Sequence, residues 1–199
     1  MVKYLSVIML VIALGAASLG LSKEMDIKID GLYLTEPMPI TNFSLVNNNG
    51  KSFSKENMKG HWTMLFFGFT HCPMVCPTTM TELNKMYNVL QKELPSDKLP
   101  QVVLISVDSE RDTVEQLNKY VKSFNPNFLG ARGDIKPLKD ELHVYVEKMQ
   151  TEGEGKNHYT VNHSAEIMVF NPDAKLQAFL SYPHHAEQMV KDYKLIIHG

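Results

Sequence analysis

Residues 62–69 form a nearly continuous apolar run, the pattern expected of a central strand covered on both faces. Residues 101–107 repeat it. Between them Met80, Leu83, Tyr87 and Leu90 recur at helical spacing, and Pro95 stops that helix. Val114, Leu117, Val121 and Phe124 make a second apolar stripe, ended by Asn125-Pro126. Asp112, with Glu115 three residues on, is the expected helix cap. A short strand near Phe128-Leu129 and a helix over 137–146 follow. Residues 150–161 are polar and aperiodic and read as an exposed loop. Residues 165–170 and 176–180 read as strands around the turn Asn171-Pro172-Asp173-Ala174, before a last helix over 185–197. Upstream, residues 43–46 and 52–53 flank Asn47-Asn48-Asn49-Gly50, a strong hairpin signal. The order is hairpin, β-α-β-α-β-α, hairpin, helix: an α/β domain of thioredoxin-like type with an N-terminal β-hairpin extension.

The first residues follow a different rule. Lys3 precedes an apolar stretch over residues 4–21, broken only by serines and glycines and ended by Lys23 and Glu24. It is just long enough to span a bilayer, and its Gly15-Ala16-Ala17-Ser18 tail also suits a signal-peptidase site. The expected division is a signal anchor or signal peptide over 1–22, a polar linker over 23–39 and one globular domain over 40–199. A presequence for mitochondria would be rich in arginine, and this segment has none. No cysteine follows the run where a bacterial lipoprotein would need one. Either reading of the segment, membrane anchor or cleaved leader, puts the domain outside the cytoplasm.

Composition narrows the function more than the fold. A 44 % hydrophobic chain of 199 residues builds a core without covalent staples, and a formal charge of −2 gives no electrostatic basis for binding nucleic acid. Two cysteines are too few for a disulfide scaffold, so chemistry is the better account of them. They lie in Gly68-Phe69-Thr70-His71-Cys72-Pro73-Met74-Val75-Cys76-Pro77, three residues apart, each followed by proline. Pro77 suits the start of a helix, and residues before proline avoid helical geometry, so the pair is expected in a curled loop at a helix N-terminus. There the dipole lowers both thiol pKa values. Such thiolates exchange with disulfides or hold a soft metal, Cu(I) or Zn(II).

The topology supplies a third group. With the strand at 165–170 antiparallel to that at 62–69, His163 falls beside the cysteines. Two sulfurs and one imidazole nitrogen make a soft donor set suited to copper. His71 either points away or donates to a ligand from outside the set. His184-His185 reads as a solvated pair in a turn, and His61, His143, His158 and His198 receive no role.

Phe67-Gly68-Phe69-Thr70-His71-Cys72-Pro73 with Cys76-Pro77, Val107-Asp108-Ser109-Glu110-Arg111-Asp112-Thr113, Asn162-His163-Ser164 and Asn171-Pro172-Asp173 together resemble the Sco/SenC family over about residues 40–197. The resemblance implies a membrane-anchored, thioredoxin-fold protein of the bacterial inner membrane with its domain in the periplasm, or one free in the periplasm if the leader is cleaved. It implies that Cys72, Cys76 and His163 are copper ligands. It also implies delivery of copper to the binuclear site of cytochrome c oxidase subunit II, or to another extracytoplasmic cuproprotein. Met74 stands where the family carries an acidic residue, Asn162 where it carries aspartate, and Ser109 where it carries proline. Both lost charges would weaken Cu(II) more than Cu(I), and Met74 adds a soft thioether. The competing reading makes Cys72 and Cys76 the redox pair of a thiol–disulfide oxidoreductase that reduces the subunit's cysteines. A peroxidase would need a single activated cysteine in a peroxide pocket, and only the shared fold suggests it. His163 favours metal binding, since disulfide exchange needs no third soft ligand.

Overall fold

The computed structural model describes residues 27–151 and 159–199. Its centre is strand β4 (Thr63–Gly68), every residue of which is buried. Beside it β5 (Gln101–Ser106) runs parallel, in a register that pairs Thr63 with Gln101 and Gly68 with Ser106. On its other side β9 (Ile167–Phe170) runs antiparallel, pairing Phe66 with Ile167. These three strands place the site. The ends of β4 and β5 and the start of β9 lie at one edge of the sheet, so the segments 69–74, 107–113 and 163–166 converge there.

The remaining strands complete an eight-stranded sheet in the order β1-β10-β9-β4-β5-β6-β2-β3. Strand β6 (Leu129–Arg132) continues the parallel part, and β10 (Lys175–Leu180) pairs antiparallel with β9. The hairpin of β2 (Leu45–Asn47) and β3 (Ser52–Phe53) joins the sheet through β6. Its turn needs the positive φ of Gly50, +73°, and Asn48 ties it down by accepting from the Gly130 N–H at 3.0 Å.

Helix α1 (Val75–Glu93) buries the expected Met80, Leu83, Tyr87 and Leu90, together with Cys76, Thr79 and Met86. It packs against α4 (Ala186–His198) and α2 (Val114–Phe124). Leu117 and Val121 are the buried part of the α2 stripe. The cap of α2 is not Asp112. Thr113 takes that place in a capping box with Gln116, and its hydroxyl accepts from the Gln116 N–H at 3.1 Å. Asp112 is free for another task, described below.

Three further segments depart from the pattern reading. Part of the expected linker is a strand, β1 (Gly31–Pro39), paired antiparallel with β10 across a register irregularity between Tyr33 and Met38. Pro37 and Pro39 hid it, because prolines are tolerated only on an edge strand such as this one. The helix expected over 137–146 is the shorter α3 (Lys136–Glu141). After it, β7 (Val146–Gln150) and β8 (Tyr159–His163) form a separate two-stranded ladder that takes in both ends of the supposed 150–161 loop. The apolar stretch at 4–21 lies outside the described residues. Among the described residues no helix is long and apolar enough to cross a membrane.

Candidate metal centre

Chain geometry brings Cys72, Cys76 and His163 together. Their sulfur and ring-nitrogen atoms all lie within 4.8 Å of one another. After β4 the chain turns through Thr70–Met74, with the Cys72 N–H donating to the Phe69 carbonyl at 3.3 Å. Helix α1 begins at Val75, which places buried Cys76 second and Pro77 third, where a missing N–H leaves no ladder bond unmade. The Cys76 N–H points at the Cys72 sulfur, 3.4 Å away. Gly68 keeps the space open: a Cβ there would sit 3.1 Å from the Cys76 sulfur and 2.8 Å from Leu104.

His163 is the last residue of β8 and arrives from the β9 side. Its Nδ1–H donates to the Ser164 carbonyl at 2.7 Å, which leaves the Nε2 lone pair facing inward, 3.5 Å from the Cys76 sulfur. Phe66 and Phe69 meet the ring edge-on, with centroids 6.1 and 5.9 Å away. An imidazole held on one nitrogen by a backbone carbonyl and walled by two rings has few orientations left.

The two thiols do not behave alike, contrary to the expectation that the helix dipole lowers both. Hydrogen bonds from the Cys76 thiol and backbone N–H hold Cys72 as a thiolate, with its pKa pulled down to about 4. The same shared proton, with burial, pushes Cys76 far up. Without metal the centre is thus a half-exposed thiolate beside a buried thiol. In the reduced, metal-free protein, iodoacetamide should therefore modify Cys72 and spare Cys76. The Cys72 rate should hold through the neutral range and fall by half only near pH 4. Peptide mass spectrometry across a pH series reads both. A rate falling about tenfold per pH unit from neutrality would describe an ordinary thiol and refute the shared proton.

Around the centre lie side chains whose roles only the tertiary structure reveals. Asp112 is wholly buried and accepts from the Thr70 N–H at 3.2 Å, the Thr70 hydroxyl at 2.6 Å and the Ser106 hydroxyl at 2.7 Å. His71 turns away from the sulfurs, toward Thr70, with its Nδ1 3.0 Å from that hydroxyl. His71, Asp108 and Asp112 also bring donor atoms within 4.8 Å, but both carboxylates are already engaged by protein donors. Asp108, also buried, accepts from the Tyr159 hydroxyl at 2.5 Å and pairs with Arg111. Tyr159 had been absorbed into the supposed loop, although Tyr159, Val161 and His163 alternate as one face of a strand.

Two other expectations change. His184 is not solvated: it is buried, with Nε2 2.8 Å from the Ala165 carbonyl and the ring edge-on to Phe66. Burial depresses its pKa. Asn162 is exposed on the opposite face of β8 from His163, so the missing family charge there does not bear directly on the sulfurs. Met74 is 71 % exposed at the rim of the loop.

Fold and site together define a thioredoxin-like α/β domain with a Cys-x3-Cys and histidine centre at one sheet edge. The SCO1/SenC family model matches residues 35–198, and the chain belongs to that family. A protein named SCO1 homolog 1, mitochondrial, from Arabidopsis thaliana is 36 % identical over 148 residues, covering 74 % of this chain and 43 % of that protein. The chain thus spans less than half the length of that relative. A crystal structure of Arabidopsis thaliana ScoI with copper bound superposes with a TM-score of 0.71 at 32 % identity, covering 80 % of this chain and 98 % of the other. Bradyrhizobium japonicum ScoI with copper bound gives 0.67 at 31 % identity, over 78 % and 98 %.

Proposed function

We propose that this protein is a copper-binding metallochaperone. Cys72, Cys76 and His163 hold the ion, which is passed to the binuclear copper site of cytochrome c oxidase subunit II or to another extracytoplasmic cuproprotein. The observation that carries the reading is the inward lone pair of His163 Nε2 beside two sulfurs, in a family whose similar structures include copper-bound ones. Such a donor set suits copper, a soft and exchangeable cargo. The apolar segment over 4–21 would hold the domain at the outer face of a membrane, the bacterial inner membrane for a periplasmic domain.

Binding should have a proton signature. Cys72 already carries its charge at neutral pH, and Cys76 must lose a proton to become a ligand. Titration of the reduced protein with copper should therefore end at one ion per chain. Affinity should rise about tenfold per pH unit across the neutral range, one proton leaving for each ion bound. Calorimetry in buffers of different ionisation enthalpy counts that proton. Two tight ions per chain, or pH-independent affinity, would contradict the assignment.

The second reading, a thiol–disulfide oxidoreductase, rests on the same asymmetry. A half-exposed thiolate beside a buried thiol is also the arrangement of an attacking and a resolving cysteine.

A further inference from the structure

Strands β7 and β8 pair only with each other and lie outside the eight-stranded sheet. The strand that carries His163 therefore has no ladder to the core. At its near end the Ser164 N–H donates to the Tyr145 carbonyl at 3.0 Å, and the Tyr145 N–H to the Ser164 hydroxyl at 2.9 Å. Those bonds close the base of the hairpin on itself. At its far end, four residues or about 14 Å from His163, Tyr159 is gripped by a single loop of the core. Its hydroxyl donates to buried Asp108, its carbonyl accepts from Arg111 Nη1 at 2.9 Å, and the guanidinium lies 3.8 Å from its ring centroid. Arg111 also faces the ring of Phe69 at 5.8 Å, and Phe69 meets His163 edge-on.

Four residues after Asp108 and one after Arg111, the same loop grips the other half of the centre. Asp112 holds both the N–H and the hydroxyl of Thr70, at the root of the segment that carries Cys72. We infer that residues 108–112 are the positioning element of the centre, with separate grips for its two halves: Asp112 through Thr70 for the cysteine loop, and Asp108 with Arg111 through Tyr159 for the His163 strand. None of these side chains is among the three proposed ligands. They act through the elements that carry them, and the division of labour is what distinguishes a positioning role from general stability.

Thr70→Val removes the hydroxyl that Asp112 holds and keeps the side-chain shape. Tyr159→Phe removes the hydroxyl that Asp108 holds and keeps the ring beneath Arg111. The inference rests on the same three-residue centre, but its readouts are taken on the full-length, metal-free, reduced protein, so failure of copper binding would not affect them. Tyr159→Phe should speed amide exchange in β8 by roughly tenfold or more, the loss of one bond to a charged acceptor. It should also broaden the His163 ring signals in NMR, while the Cys72 alkylation rate stays at the parent value. Thr70→Val should do the reverse: alter the Cys72 alkylation rate and leave β8 exchange unchanged. Asp108→Asn, which also loosens the pair with Arg111, should repeat the Tyr159→Phe pattern more strongly. If either hydroxyl variant moves both readouts in proportion to a lower global stability, or moves neither, the separate grips do not exist. Should Asp108→Asn fail to fold, the two hydroxyl variants decide alone.

Discussion

Oxidation of Cys72 and Cys76 to an intramolecular disulfide is expected to abolish copper binding, and anaerobic reduction to restore it in full. The bond is within reach because both sulfurs lie inside the same 4.8 Å cluster and Cys72 is already the thiolate that an oxidant attacks. Once formed, it removes both anionic donors. Disulfide sulfur carries no thiolate charge, and His163 alone is too weak a site for a cargo that must survive dialysis. The effect should be all-or-none, not graded: one ion per chain with two free thiols, none with zero. Thiol counting and metal analysis on the same dialysed sample check it. An oxidised protein that retains copper at full affinity would show that the cysteines are not the ligands.

That this chemistry was legible in the chain follows from where the site is built. Strands β4 and β5 are buried on both faces and read as apolar runs, and α1 carries its stripe plainly. The cysteine loop inherits its position from those elements. His163 was placed by one topological step, the antiparallel pairing of β9 with β4. What stayed hidden shares a physical cause. Strand β7 is exposed over most of its length and satisfies its backbone in a ladder that buries little, so no hydrophobic pattern announces it. Strand β1 is an edge containing two prolines. Asp112 looks like a helix cap from its neighbours, and only the parallel register of β4 and β5 shows that Thr70 reaches it first. Local propensity cannot see an acceptor claimed by a donor 42 residues away. His184 escapes the pattern for the same reason: the Ala165 carbonyl that satisfies its buried ring lies 19 residues away.

Replacing His163 with alanine should separate the two functional readings. The imidazole offers Nε2 to the sulfurs and spends Nδ1–H on its own strand end, so its removal deletes a metal bond and leaves the dithiol's shared proton in place. Changing a residue that merely supports a ligand typically costs 10–100-fold in metal affinity, so losing the ligand itself should cost more than about 100-fold. The Cu(II) absorption should change with it. Disulfide exchange needs only an attacking thiolate and a leaving thiol, and Cys72 receives its strongest hydrogen bond from Cys76. Reduction of a model disulfide should therefore persist, because the Cys76 hydrogen bond, the largest cause that lowers the Cys72 pKa, stays in place and only the smaller one from His163 is lost. The fold should persist, because the ring lies at the mouth of the site against the edges of Phe66 and Phe69, not inside the sheet. Affinity and exchange rate measured on one preparation make the comparison decisive. Lost reductase activity with unchanged copper affinity would make His163 the proton partner of the dithiol, and the chaperone reading would give way to the oxidoreductase one.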